Sequence, residues 1–151
     1  MPSDEEVVST LNSLIETCRD GEEGFRAAAE GVRNAELREM FQTYARQRAG
    51  FAGELQDEVR RLGGDPERTG SIVASLHRGW MGLRAALEGG DERAILSECR
   101  RGEDVAMASY RAALDRDMPA NVRALVERQF AEVKEAHHLI GGLEGGSGAG
   151  A

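Results

Sequence analysis

Lysine is almost missing from this chain: of 19 basic residues, only Lys134 is not arginine. That bias reads as the codon usage of a bacterial-type gene before it reads as mechanism. Proline (3 residues) and aromatics (5%) are also scarce. Alanine, leucine, arginine and glutamate dominate instead, the composition of a helix former. Excess basic charge is lacking too, with a formal net charge of −8 and a pI near 5.0. This argues against nucleic acid or an anionic membrane as the main partner, since both require a basic footprint. No apolar run approaches the length needed to cross a bilayer. The opening MPSDEEVVST is acidic and has no signal-peptide core. The 2 cysteines both fall in apolar stripes, as buried thiols of a reducing compartment do. The expectation is a cytoplasmic protein, and 151 residues suffice for one domain with a real core.

Helical periodicity organises what is present. Ser3 or Asp4 can cap a first helix whose apolar positions run Val8, Leu11, Ile15, Cys18, Glu22, Phe25, Ala29, Val32, in steps of three and four. Gly31 and Asn34 bracket its end. A second helix follows almost at once through Leu37, Phe41, Tyr44, Arg48, Phe51, Leu55, Val59 and Leu62, and Gly63-Gly64 stops it. So short a link predicts an antiparallel hairpin. Thr69 to Leu87 reads as a shorter amphipathic piece ended by Gly89-Gly90. Leu96, Cys99, Glu103, Ala106, Tyr110 and Ala113 then mark a third long helix. Val122, Val126, Gln129, Val133, Ala136 and Ile140 mark a fourth, with Pro119 at its start. The domain spans residues 1–143, and the glycine-rich residues 144–151 read as a flexible tail.

The two halves match. Cys18, Gly21 and Glu22 recur 81 residues later as Cys99, Gly102 and Glu103. Two similar hairpins joined by a long segment predict an all-α four-helix bundle whose crossover carries a short extra helix. That is the ferritin-like topology. The segments LNSLIETCRDGEEGFRAAAE, LHRGWMGLRAAL, ECRRGEDVAMASYRAAL and VRALVERQ, in this order between Asp4 and Leu143, resemble a bacterial family of ferritin-like helical bundles of unknown function. The resemblance implies the fold and supplies no reaction. The wider ferritin-like group includes iron stores, peroxide-consuming proteins and stress-associated bundles, and fold does not confer function.

Glu22 and Glu103 interrupt the apolar seams, where a charge is costly unless paired, protonated or bound. A di-iron site in such a bundle takes one Glu from each of two helices and Glu-x-x-His from the other two. Glu22 and Glu103 meet the first demand, and Glu135 with His138 has the second spacing, while His137 flanks the fourth seam. The second helix contains no histidine and places Arg48 at mid-seam. The pattern predicts a degenerate metal site in which Arg48 pairs with Glu22, Glu103 or both, helped by Tyr44, Tyr110, Gln129 and His137. The alternative is a di-iron or single-metal site for iron or manganese using Glu22, Glu103, Glu135, His137 and His138. A third reading lets both carboxylates lean out beside Gly21 and Gly102, as polar residues that fix register.

Cys18 and Cys99 hold equivalent seam positions and could form a redox pair. Burial without a basic neighbour favours inert, structural thiols. In LHRGW, Trp80 is expected to pin the crossover to the bundle, with His77 or Arg78 bonding nearby polar groups. Walker, nucleophile-elbow and dinucleotide motifs are absent. The sum is a non-enzymatic binding or structural bundle with no expected cofactor, whose outer faces are open to homodimer formation.

Overall fold

The computed structural model describes residues 3–66 and 79–149. Among these residues the helices are α1 (Asp4–Gly31), α2 (Ala35–Arg61), α3 (Leu83–Gly89), α4 (Glu92–Leu114) and α5 (Ala120–Ala149), with no strand. Several boundaries have a local cause. The Ser3 side chain accepts from the Glu6 amide at 3.2 Å, and Asp4, Glu5 and Glu6 complement the dipole of the first turn. Asn34 caps α2 by accepting from the Leu37 amide at 3.0 Å. Gly63 (φ 81°) and Gly90 (φ 67°) end α2 and α3 in the left-handed region, which glycine enters without penalty.

α1 and α2 form a tight hairpin, as do α4 and α5. Contacts between Cys18 and Tyr110 and between Thr17 and Ser109 set α1 against α4, with Gly31 of α1 beside Ile95 of α4. Residue numbers rise in one helix as they fall in the other, so the two are antiparallel. α2 and α5 are antiparallel by the same criterion, with Gln129 on Phe51 near the middle and Leu37 and Leu143 lining one groove at the end. This is the up–down–down–up order with one long crossover expected of a ferritin-like bundle.

The 81-residue repeat runs through both hairpins. Leu14, Ile15, Cys18, Gly21, Phe25, Ala29, Phe41, Ala45, Arg48, Ala52, Leu55 and Val59 are buried, and so is the residue 81 positions after each. Size is exchanged between equivalents: Phe25 answers to Ala106, Ala29 to Tyr110 and Leu55 to Ala136. A bulky side chain on one half therefore fills space a small one leaves on the other, which is how a duplicated seam reaches interior packing density.

The expected seams of the third and fourth long helices are buried at every named position. The expected crossover helix is described only from Gly79 onward and is helical from Leu83 to Gly89. Its earlier part, including Thr69, His77 and Arg78, lies outside the described residues. Residues 144–149, read from sequence as a flexible tail, continue α5. Leu143 packs on the core beside Ile140, and Arg100 bonds Glu144 at 3.1 Å, so tertiary contacts carry the helix past Gly141-Gly142. Among the described residues no helix is long and apolar enough to cross a membrane.

Candidate functional site: a buried ion pair and thiol network

The centre of the bundle holds a charged pair. Arg48 of α2 donates through both terminal nitrogens to Glu103 of α4: Nη1 to Oε1, and Nη2 to Oε2 at 2.7 Å. Arg48 is 1% exposed and Glu103 0%. A bidentate guanidinium–carboxylate fork satisfies both oxygens at once, which makes so dry a charge tolerable. The Arg48 Nε donates to Gln47 at 3.1 Å, and the guanidinium lies 5.4 Å from the Phe25 ring centroid. Burial pulls the Arg48 pKa down, but the Glu103 charge and hydrogen bonds outweigh it and hold it above the ordinary arginine value.

Gly21 makes room for this arginine. A Cβ there would stand 3.3 Å from Arg48 Cγ. The interior stripe of α1 thus runs through Cys18, Gly21 and Phe25, turning Glu22 toward the flank. Glu22 is only half-buried and accepts from Arg19 and Arg26, each at 2.7 Å. Of the two seam carboxylates, only Glu103 reaches Arg48. Periodicity alone could not separate residue 21 from 22, because both lie within the apolar arc of a 3.6-residue helix. The contact of Arg48 with the Gly21 backbone separates them.

Beside the ion pair runs a chain of hydrogen bonds. Gln129 Nε2 donates to the Phe51 carbonyl (3.3 Å) and to Glu54 (3.1 Å), leaving its Oε1 to accept from Tyr110 Oη at 2.7 Å. Tyr110 has then used its one proton, so the Cys18 thiol, 3.2 Å away, donates to the phenol oxygen. Burial pushes Cys18 up to about 11, against a smaller opposing effect of the Arg48 charge. Burial likewise holds Tyr110 and Cys99 well above their ordinary values. Both thiols are free, buried and protonated at neutral pH. The structure thus brings Tyr110 and Gln129 together by a direct hydrogen bond. Tyr44 is half-buried and tilted against Phe25 with ring centroids 5.4 Å apart. Burial raises its pKa, reinforced by the Glu103 charge.

The residues considered as metal ligands are dispersed. Glu135 and His138 are exposed on α5, and His137 Nε2 lies 2.6 Å from Asp104 on the surface. Among the described residues, no three of His, Cys, Asp and Glu converge closely enough to hold an ion. A di-iron centre needs carboxylates bridging two cations from four helices. Here Arg48 uses both oxygens of Glu103, and two further arginines use those of Glu22. The residues present do not fit such a group. The reason lies in α2, which supplies a cation where a ligand would be required.

Sequence reasoning missed Cys18 as the donor to Tyr110, Glu54 as the far end of the network, and Gly21 and Gly24 as close-approach points. Glycine inside a long helix costs about 1 kcal/mol relative to alanine, and that anomaly was the available signal.

A solved structure similar to this one is a Dps1 mutant from Mycobacterium smegmatis, with TM-score 0.75 and 15% sequence identity over 91% of this chain and 93% of that chain. The likeness establishes the all-α ferritin-like bundle. No curated protein matches the chain. A family model described as a domain of unknown function matches residues 6–116, so the chain belongs to the family DUF2383.

Proposed function

We propose that this protein is a non-enzymatic ferritin-like bundle with a binding or structural role, in which an internal ion pair stands where a metal centre would otherwise lie. The observation that carries this reading is the fork between Arg48 and Glu103, both essentially without solvent contact. A guanidinium is a permanent cation and needs no uptake, oxidation or release. It supplies the charge compensation of a metal while offering no open coordination position and no redox couple. The two buried, protonated thiols support the same reading, because neither is poised as a nucleophile.

Metal content of protein purified from iron- and manganese-replete cells, measured by elemental analysis and followed by Fe(II) and Mn(II) titration calorimetry, tests the reading. The expected result is far less than one ion per chain and no saturable heat. Near-stoichiometric iron or manganese would overturn it and restore the alternative of a di-iron or single-metal site.

A further inference from the structure

The 81-residue repeat gives the α1–α4 face two equivalent grooves. The first lies where Gly31 of α1 meets Ile95 of α4, and the chain's own α3 fills it. Leu87 reaches so deep that a Cβ on Gly31 would come 2.1 Å from its Cδ2. Leu83 and Ala86 are buried in the same cluster as Ile95. The amide of Gly82, which opens α3, donates to Glu98 at 3.2 Å. The indole of Trp80, buried between Gly24 and Gly102, closes this groove at its inner end. α3 therefore turns the i, i+3 and i+4 face of Leu83, Ala86 and Leu87 into the bundle.

Gly31 has its equivalent 81 residues on in Ala112, and Ile95 and Glu98 have theirs 81 residues back in Leu14 and Thr17. Leu14 and Ala112 likewise line one groove, of about 340 Å³, walled by Ser9 and Ser13 of α1 and Ser109 of α4. Ser9, Ser13 and Ala112 are exposed, while Leu14 forms a dry floor at 1% exposure. Ser109 accepts from Thr17 at 3.3 Å and keeps a second lone pair for an incoming amide, at the level where Glu98 receives Gly82 in the twin. At the other end stands Arg116, with no acidic partner among the described residues. By the same symmetry a helix in this groove runs from Ser109 toward Arg116. Its C-terminus, the negative end of its dipole, then meets that guanidinium. We infer that this second groove docks a short amphipathic helix of a partner protein, with leucine and alanine spaced as in α3. The Ala112 methyl makes the floor shallower than at Gly31, so the partner's leucine rides higher than Leu87 does. The inference names a partner for the binding role proposed above and rests on it, yet metal analysis tests the one and peptide titration the other.

The probe is a synthetic peptide of residues 82–90, stapled as a helix across its exposed positions Arg84 and Glu88 and ending in a free carboxylate. Titrated into the isotope-labelled full chain, it should shift the amide NMR signals of Ser13, Ser109 and Ala112 saturably. Ala112→Gly removes the extra methyl and should tighten binding by about threefold. Ala112→Arg fills the groove and should weaken binding by about tenfold or more. Should Ala112→Arg fail to fold, Ser13→Arg blocks the groove from the facing wall with the same expected loss. Arg116→Glu reverses the charge at the groove's end and should also weaken binding. Absence of saturable shifts, or wild-type affinity in the groove-filling variant, would overturn the inference. Shifts confined to Gly31 and Ile95 would overturn it too, since the peptide would then have exchanged with α3. A wild-type dimer that Ala112→Arg dissociates in sedimentation would give the groove to a second copy of this chain and refute the separate partner.

Discussion

Replacing Arg48 with methionine probes the centre most directly. The substitution keeps an unbranched apolar stem and removes the charge and the donors. Glu103, 0% exposed, would then be a buried carboxylate without a counter-charge. Breaking one side of a buried pair costs about 3–5 kcal/mol. At about 2–4 °C per kcal/mol for a domain of this size, the midpoint should fall by roughly 6–20 °C. The pH dependence supplies a second, sharper signature. A buried carboxylate without a counter-charge favours its protonated form, so the folded variant takes up a proton that the unfolded chain releases and loses stability as pH rises from the acid side. The deficit relative to wild type should therefore be smallest near pH 4 and largest at neutral pH. The double variant Arg48→Met with Glu103→Leu should regain most of the loss, since apolar replacement of a whole buried pair is commonly neutral or stabilising. Denaturant and thermal unfolding followed by circular dichroism across pH 4–8 provide the assay. An unchanged midpoint with a flat pH profile in the single variant would refute the account of Arg48 as the compensating charge.

Three further outcomes are expected. Tyr110→Phe removes the group between Cys18 and Gln129 and leaves a buried amide oxygen unsatisfied; urea titration should show a loss of about 1–3 kcal/mol, and a neutral result would mean that Gln129 finds another donor. Cys18, pushed up to about 11 when folded from an ordinary 9.0, stabilises the fold fully below pH 9. Between those values the unfolded chain ionises first, so stability should decline with rising pH, and Cys18→Ala should flatten that decline by up to roughly 2–3 kcal/mol. An unaltered alkaline limb would contradict the assignment. Native protein should resist a thiol-specific disulfide reagent, and both thiols should react at once in denaturant. Rapid labelling of the folded chain would show that burial does not protect them.

What was legible in the sequence follows from one-dimensional periodicity. Leu96 to Ala113 and Val122 to Ile140 are buried at every position the three–four spacing named, because an amphipathic helix can bury only one stripe. Ser3, Asn34 and the terminal glycines marked helix ends through purely local hydrogen-bond and steric demands. The repeat of Cys18-x-x-Gly21-Glu22 at Cys99-x-x-Gly102-Glu103 marks two related hairpins. Arg48, a lone cation on an apolar seam, marked the centre of the bundle.

Tertiary packing decided the rest, because it depends on what lies opposite each residue. Equivalent residues Glu22 and Glu103 have opposite fates: Arg48 packs on Gly21 and pairs only with Glu103, leaving Glu22 to two flank arginines. Gly102 is identical in type to Gly21, yet it receives an indole from the crossover instead of an arginine stem. The glycine-rich end of α5 stays helical through Leu143 and Glu144, contacts that no local propensity encodes. A chain specifies by itself which faces are apolar and where helices stop. Which of two adjacent residues meets a partner depends on a rotation of the helix that only its neighbours fix.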